Sequence, residues 1–456
     1  MLKKFLYYFY HIREFKLHYI HFIKEYFFIK KHLYYSIEEN LSIQKKRLFN
    51  MLNYAIRNVP YYNKIAQQRN IQISKETIFE DIKKFPVLTK EIIRDNWDSL
   101  HANLNKVRYT INTSGGTTGE PVKIVQTNKY KVLNFCSKII FNEFGGYYSG
   151  DKLVKLWGNE KDILYMTRNK KEHIINKYFR NIIFQNSFKM SSSIINNFIK
   201  EINYKKPKVM LAYVQSVFEM AKYIQQNELD IHHLDSIITS AGVLTSKIRN
   251  YIESIFKTKV YNRYGSREVS VIGSSCEKSQ KIHIDMFKKY IEILDYDNTS
   301  LGAHEKGNII ITDLLNYAMP LIRYKIGDRG AIDFSTCPCG RGLIRFDNIL
   351  GRVVDIFKNE KGELIDGEYF THLFYFKDNI KQFQVIQERI NEIYIYLVMI
   401  IEKTKLDVLT ENEISRSIRI VMGENCKVIF NYVDHINSSI SGKFRYTISR
   451  LYSQSN

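Results

Sequence analysis

The sequence has few cysteines. Its 456 residues include only Cys136, Cys276, Cys337, Cys339 and Cys426. Their small number and uneven spacing exclude a disulfide scaffold and predict a protein of a reducing cytoplasm. The sequence also lacks an apolar run long enough to cross a bilayer. No small-residue cleavage site follows the N-terminal segment, so we expect neither a membrane span nor a signal peptide.

The length exceeds what one hydrophobic core usually organises, so at least two domains are expected. Hydrophobic residues make up 45% of the chain and charged residues 25%. This balance is typical of a folded, enzyme-sized protein and excludes wholesale disorder. No internal repeat or low-complexity linker interrupts it.

The formal net charge of +21 has two interpretations. A basic patch would fit nucleic acid, an anionic membrane surface or polyanionic substrates. Codon bias in an AT-rich genome would also enrich Lys, Ile, Asn and Tyr and simply place lysine on solvated faces. We expect no nucleic-acid partner.

Residues 1–42 form a separate segment that is rich in Phe and Tyr, with basic residues interleaved. A helix here would carry aromatic residues almost all round. It could lie on an anionic membrane surface, which would make the protein peripheral at the inner face of the membrane. Alternatively, it packs on the main body with its lysine stems reaching water.

The remaining chain predicts two folded domains. In residues 43–350 a helix is expected over 43–67, interrupted near Pro60. Short β-inclined segments at 152–157, 208–212 and 236–239 alternate there with helical patterns at 216–226 and 246–256, which indicates α/β layering. Residues 351–456 predict a small α+β domain, with strand at 384–401 around a turn at 390–391, helix at 411–421 and strand at 427–433.

The segment TSGGTTGEPVK, residues 113–123, combines hydroxyl side chains with three glycines. Glycines let consecutive N–H groups approach a ligand, and hydroxyls add donors for phosphate oxygens. The spacing is not that of a Walker loop. By itself the segment fits either a phosphate-binding loop or a surface turn.

Four further segments follow in order: YNRYGSRE at 261–268, PLIRYKIGD at 320–328, GR at 351–352 and SGKFR at 441–445. Together the five segments resemble the motifs of the adenylate-forming enzyme superfamily. PYYNK at 60–64, MPLIRYKIGDRG at 319–330 and CPCGRGLIRFDNILGR at 337–352 resemble its phenylacetate-CoA ligase branch, which includes CapK-like capsular polysaccharide proteins. The resemblance implies a large α/β domain that binds nucleotide and acid, and a small C-terminal α+β lid.

The resemblance also implies the roles of individual residues. Glu268 would hold Mg²⁺, Lys443 would act on the transition state, and Thr118 would take part in catalysis. Tyr264 would stack on adenine, and Asp328 would bind the ribose hydroxyls. The implied nucleotide-binding residues are Thr113, Ser114, Gly115, Gly116, Thr117, Thr118, Gly119, Lys123, Gly242, Tyr264, Gly265, Ser266, Asp328 and Arg352.

These residue types suit the implied chemistry. A carboxylate that attacks the α-phosphate of ATP builds negative charge, which a metal cation and a lysine would stabilise. An aspartate that accepts from both ribose hydroxyls forms charge-assisted hydrogen bonds. The expected products are an acyl-adenylate and pyrophosphate.

The fate of the acyl group stays open. The family hinge usually reads GRxDD, whereas Val354 replaces the first acid here and leaves Asp355. Residues 356–365 also contain only Gly362 where a glycine-rich run helps to admit CoA. The acceptor is therefore CoA, or an amine or amino sugar joined by an amide bond. A third alternative is a basic membrane-peripheral or nucleic-acid-binding protein on a degenerate enzyme fold.

Four further residues predict a metal-binding site. Cys276 and His283, with the later pair Cys337 and Cys339, offer three thiolates and one imidazole, which predicts a closed structural zinc site. Some members of the branch look similar here. Trp157 and residues 212–216 lie where the family lines its acid pocket, although core packing is the more common explanation for each aromatic taken singly. The oligomeric state is not determined, with a homodimer as one alternative.

Overall fold

The computed structural model describes most of the chain between residues 18 and 451. The described ranges are 18–105, 107–113, 122–157, 175–186, 192–242, 244–352, 356–362, 364–366, 370, 373–374, 379–399, 401, 404–436 and 447–451. The α-helices are α1 Tyr19–His32, α2 Ile37–Asn58, α3 Pro60–Gln68, α4 Ile78–Asp81, α5 Lys90–Asp95, α6 Asn128–Phe144, α7 Ser192–Lys205, α8 Val214–Gln226, α9 Ser246–Phe256 and α10 Val408–Met422.

The second helix begins before its predicted start. Ser36 caps α2 by accepting from the Glu39 backbone, and the Glu39 side chain accepts in turn from the Ser36 backbone. This capping box fixes the helix start at Ile37. The prediction of a helix beginning at residue 43 was wrong, and the expected boundary after residue 42 lies inside α2. The interruption at Val59, before Pro60, is confirmed.

The first helix is attached to the body of the protein. Tyr26 and Lys30 of α1 donate to the two carboxylate oxygens of Glu143 in α6, over 2.9 and 2.8 Å. Phe22 and Ile29 are buried. The described part of the N-terminal segment therefore packs on the body, as one of the two alternatives expected. Residues 1–17 lie outside the described residues.

An 11-stranded sheet forms the centre of the fold, in the order β10-β11-β12-β13-β9-β8-β7-β6-β5-β3-β4. Its strands are β3 Leu153–Trp157, β4 Ile182–Asn186, β5 Val209–Tyr213, β6 Ser236–Ser240, β7 Lys259–Ser266, β8 Ser270–Cys276, β9 Ser279–Ile284, β10 Lys289–Leu294, β11 Gly307–Asp313, β12 Tyr324–Asp333 and β13 Arg345–Arg352. A separate two-stranded sheet contains β1 Tyr109–Thr113 and β2 Lys123–Thr127.

One end of the large sheet is parallel. The five strands β4, β3, β5, β6 and β7 pair in parallel, and α7, α8 and α9 pack on them around a core that includes Ile202, Val217 and Ile252. The predicted strands and helices are confirmed here. The predicted bounds of α9 match because Thr245 caps it by accepting from the Ile248 backbone. Parallel strands put their carboxyl ends at one edge, where α/β proteins usually bind ligands.

The C-terminal residues build a smaller α+β arrangement. A four-stranded sheet has the order β18-β17-β16-β19, and β14 pairs with β15. The strands are β14 Ile356–Lys358, β15 Leu364–Asp366, β16 Ile380–Arg389, β17 Glu392–Met399, β18 Lys427–Tyr432 and β19 Thr447–Ser449. The predicted turn at 390–391 is confirmed, since Arg389 pairs with Glu392. Ile414, Ile418 and Met422 of α10 join this sheet in one core.

The chain divides into two compact units. The first contains 1–112, 123–325 and 331–348, and the second contains 113–122, 326–330 and 349–456. The second unit thus combines the C-terminal α+β arrangement with two short segments from earlier in the chain. Within the described part of the chain, no helix has the length and apolarity that a membrane span requires.

Candidate functional site

Glu268 lies in the turn between β7 and β8, directly after the strand that carries Tyr264, Gly265 and Ser266. Its side chain is buried, and the Tyr324 hydroxyl donates to its Oε1 over 3.2 Å. Gly265 is required in this strand because a Cβ there would lie 2.6 Å from the Ser270 carbonyl oxygen. The turn thus presents an oriented, partly desolvated carboxylate.

Residues from β1 and β2 bind the same turn. Asn112 Nδ2 donates to the Arg267 carbonyl over 2.8 Å, and Gln126 Nε2 donates to the Glu268 carbonyl over 3.4 Å. Asn112 and Gln126 flank the glycine- and threonine-rich segment in the chain. Asn112, before that segment, and Gln126, after it, are therefore both hydrogen-bonded to the Glu268 turn.

Several predicted residues lie outside the described residues: Ser114, Gly115, Gly116, Thr117, Thr118, Gly119 and Lys443. The segment's two ends are described, since Thr113 ends β1 and Lys123 begins β2. Arg352 ends β13, but its side chain is not described. Asp328 lies within β12 after Gly327, whose φ of +92° favours glycine.

Tyr264 and Gly242 are two of the predicted nucleotide-binding residues that the structure describes. The Tyr264 ring is partly exposed and contacts Phe346 edge-on, with centroids 5.7 Å apart. Gly242 follows the carboxyl end of β6, and the preceding Ala241 has a left-handed φ of +54°. Non-glycine residues hold such a conformation at a cost and cluster at functional sites. Both residues therefore remain candidates for nucleotide binding.

Aromatic residues meet at the carboxyl ends of the parallel strands. Trp157 ends β3 and Tyr213 ends β5, with ring centroids 4.3 Å apart. The guanidinium carbon of Arg263 lies 5.6 Å from the Trp157 ring centre, and Nη1 donates to Asn142 over 2.8 Å. Burial lowers the pKa of Arg263 to about 10. The structure thus brings together Trp157 and Tyr213, two aromatic residues that the resemblance assigns to the acid pocket.

The four predicted metal ligands converge. Cys276 ends β8, His283 lies in β9, and Cys337 and Cys339 lie in the loop between β12 and β13. Their ligand atoms all lie within 4.8 Å of one another. Cys276, His283 and Cys337 are buried, and no cysteine is disulfide-bonded. The structure thus forms a possible Cys₃His metal site.

The distances in this set suit a small tetrahedral ion. Cys276 Sγ lies 3.7 Å from Cys337 Sγ, and Cys339 Sγ lies 3.4 Å from His283 Nε2. Zinc bonds of about 2.3 Å to sulfur and 2.0 Å to nitrogen in a tetrahedron separate the ligands by roughly 3.8 Å and 3.5 Å. These two separations therefore match those between zinc ligands.

Three residues that contact Glu268 or its turn were not predicted from the sequence. Tyr324 was part of the YKIGD motif without a role, and Asn112 and Gln126 drew no attention. A signal existed only for Tyr324, which begins the strand that carries Asp328. The contacts of the two amides depend on a tertiary approach that local sequence does not encode.

Comparisons with known proteins agree with the expected resemblance. The family model "CapK C-terminal domain" matches residues 357–450. Protein CapK of Staphylococcus aureus is 25% identical over 439 residues, covering 92% of this chain and 93% of that protein. A phenylacetate-coenzyme A ligase of Thermus thermophilus is 24% identical over 343 residues, covering 70% of this chain and 72% of the ligase.

A solved structure confirms the fold class. The crystal structure of 2-hydroxyisobutyryl-CoA ligase, in the postadenylation state with 2-HIB-AMP, superposes with a TM-score of 0.65. It is 17% identical, and the match covers 89% of this chain and 88% of that one. The large α/β part with a smaller C-terminal α+β part is thus the fold of adenylate-forming CoA ligases.

Proposed function

We propose that this homologue of protein CapK and of the phenylacetate-CoA ligases activates a carboxylic acid with ATP. A carboxylate oxygen would bond to the α-phosphorus, and the bond from that phosphorus to the bridging oxygen of the β-phosphate would break. The products are an acyl-adenylate and pyrophosphate. The observation that supports this most directly is the buried Glu268 carboxylate, oriented by Tyr324 in a turn that Asn112 and Gln126 also bind.

Glu268 suits Mg²⁺ because Oε1 is held by Tyr324, and the described residues offer Oε2 no hydrogen bond. Carboxylate oxygens are the ligands that Mg²⁺ prefers, together with phosphate oxygens of the substrate. A magnesium ion held there would neutralise phosphate charge. The residues of the chain would hold the nucleotide in line for attack.

The remaining assignments follow the motifs. The backbone of the glycine-rich segment and Thr118 would bind the triphosphate, with Lys123 at its end. Tyr264 and Gly242 would contact adenine, Asp328 would accept from the ribose hydroxyls, and Lys443 would donate to the charge that builds at the α-phosphate. Gly265 and Ser266 would shape the turn, and Arg352 would act at the hinge.

The Cys₃His set would hold a structural zinc ion. Four protein ligands fill a tetrahedral shell and leave no position for water or substrate, which is typical of structural rather than catalytic zinc. His283 and Cys276 lie on the sheet, whereas Cys337 and Cys339 lie on a loop. Zinc would therefore fasten the loop to the sheet.

The acyl acceptor would be CoA or another nucleophile, and we propose the cytoplasm as the location. The similarity to phenylacetate-coenzyme A ligases supports CoA, whereas the altered hinge and the missing glycine-rich run leave an amine or amino sugar as the alternative. The CapK similarity supports a setting in surface polysaccharide biosynthesis. Retention of Glu268, Asp328 and Lys443 argues against a degenerate fold that only binds membranes or nucleic acid.

A screen of carboxylic acids for ATP–pyrophosphate exchange tests the proposal. We expect exchange with at least one acid and a loss of about a hundredfold in Glu268→Gln. Exchange that is independent of any carboxylate, or an unimpaired Glu268→Gln protein, would contradict it. Assaying product with CoA and with amines then separates the two acceptors.

A further inference from the structure

The outward side of α1 has an unusual composition. The exposed positions of this helix are Ile20, His21, Lys24, Phe27 and Lys31. Their spacing of three or four residues puts Ile20, Lys24, Phe27 and Lys31 on one side of the helix. Ile20 is 64% exposed and Phe27 is 63% exposed, and Tyr34, in the turn that follows, is 60% exposed. Ile20, Lys24, Phe27, Lys31 and Tyr34 are called the α1 outer face below.

The opposite side of α1 packs against the rest of the protein. Glu25, the only acid in the helix, pairs with Arg47 of α2 over 2.9 Å. Lys30 pairs with Glu143 of α6 over 2.8 Å. The helix is thus fixed between α2 and α6, and its outer face cannot turn inward without breaking both pairs.

Positive charge is concentrated on and around the outer face. Lys24 and Lys31 form no ion pair with any described residue. Partial burial, and then the charges of Lys129, His18 and Lys24, lower the pKa of His21. The sequence that precedes the helix adds Lys3, Lys4, Arg13 and Lys16 against Glu14 alone.

We propose that the α1 outer face docks on the surface of an anionic lipid bilayer. Ile20, Phe27 and Tyr34 would enter the boundary between headgroups and acyl chains, while Lys24 and Lys31 would meet lipid phosphates. Apolar side chains separated by lysines gain little from nucleic acid, whose outer surface is phosphate. A second copy of the chain docked through the same face would place its lysines against Lys24 and Lys31, and the like charges would repel. Charge complementarity therefore favours the lipid surface.

The inference is independent of the proposed acid activation, and co-sedimentation with vesicles tests it on the full chain. Vesicles of phosphatidylcholine are compared with vesicles that also contain phosphatidylglycerol. We expect binding to the anionic vesicles that weakens as salt screens the lysines. Lys24→Gln with Lys31→Gln should lower the partition coefficient about thirtyfold. Ile20→Ser with Phe27→Ser should lower it comparably.

Control variants change exposed aromatic residues and exposed lysines elsewhere in the chain. Tyr296→Ser with Phe334→Ser removes two exposed aromatics, 58% and 51% exposed, and Lys46→Gln with Lys247→Gln removes two exposed lysines. All variants keep residues 1–17, so a loss of vesicle binding that occurs only in the α1 variants is due to the helix. Their thermal unfolding should match the wild type because the side chains are exposed.

Three outcomes would overturn the proposal. In the first, wild-type protein binds neutral and anionic vesicles equally. In the second, the α1 variants and the control variants lose vesicle binding to the same extent. The third is a sedimentation-velocity experiment without vesicles in which the α1 variants turn a dimer into a monomer, which would make a second copy the occupant of the face.

Discussion

Tyr324, at the start of β12, donates its hydroxyl to Oε1 of Glu268 over 3.2 Å, and both side chains are buried. The two residues belong to different sequence motifs, at 320–328 and 261–268. The motif at 320–328 thus contributes two residues: Tyr324, which orients Glu268, and Asp328, to which the resemblance assigns ribose binding. Orienting one carboxylate oxygen leaves the other available for a metal ion.

Tyr324→Phe tests this positioning. Removal of the hydroxyl leaves the Glu268 carboxylate in place but free to rotate, so we expect ATP–pyrophosphate exchange to need a higher Mg²⁺ concentration and to fall about tenfold. The measurement is the exchange rate at a series of Mg²⁺ concentrations.

Tyr62→Phe is the matched control. Tyr62 is equally buried, and its hydroxyl donates to the Pro320 carbonyl over 2.8 Å. Both variants should lose stability on the order of 1 kcal/mol through an unpaired buried partner. Only Tyr324→Phe should change the Mg²⁺ dependence, and an equal change in both would refute the positioning role.

Local signals predicted much of this fold. The strand–helix alternation of residues 208–256 is readable because buried strands and the capped helix α9 carry their own hydrophobic patterns. The start of α2 at Ile37 was not predicted, although Ser36 and Glu39 have the sequence spacing of a capping box. In the Glu268 site, Glu268 and Tyr324 both belong to motifs that the sequence shows. The hydrogen bond between them, and the contacts of Asn112 and Gln126, depend on tertiary packing and could not be predicted.

Zinc removal should destabilise the first compact unit. Purified protein should contain about one zinc ion per chain, and Cys337→Ser should lose it together with on the order of 3 kcal/mol of unfolding free energy. Metal analysis and denaturant unfolding measure both effects. Cys136→Ser, which changes a buried cysteine outside the metal set, should retain the zinc. Wild-type protein without near-stoichiometric zinc would rule out the assignment.

Acid should weaken the sheet near Asp333. Burial alone would raise the pKa of Asp333, but hydrogen bonds from Lys281 and Ser335 and the charge of Arg345 hold it below its usual value. A carboxylate with a depressed folded pKa stabilises the fold above its unfolded pKa of about 4, and this contribution is lost as the pH falls further.

Asp333→Asn should therefore be less stable than wild type at pH 7, with a difference that narrows below pH 4 or so. Asp347→Asn is a milder control, because Asp347 is more exposed and shares the Lys281 partner at 2.6 Å. The measurement is the unfolding free energy as a function of pH. A pH-independent difference for Asp333→Asn would contradict the ion-pair explanation.

Lys443→Ala tests the assignment of the C-terminal motif. Charge builds on the α-phosphate oxygens only as the carboxylate attacks, so a lysine that donates there stabilises the transition state more than bound ATP. We expect exchange to fall by about a hundredfold to a thousandfold, while ATP binding measured by calorimetry stays nearly constant. Lys427→Ala is the control, since Lys427 begins β18 in the same compact unit and its side chain is 74% exposed. A variant that keeps wild-type exchange would remove Lys443 from the mechanism, and one that loses ATP binding and exchange in proportion would assign it to ground-state binding instead.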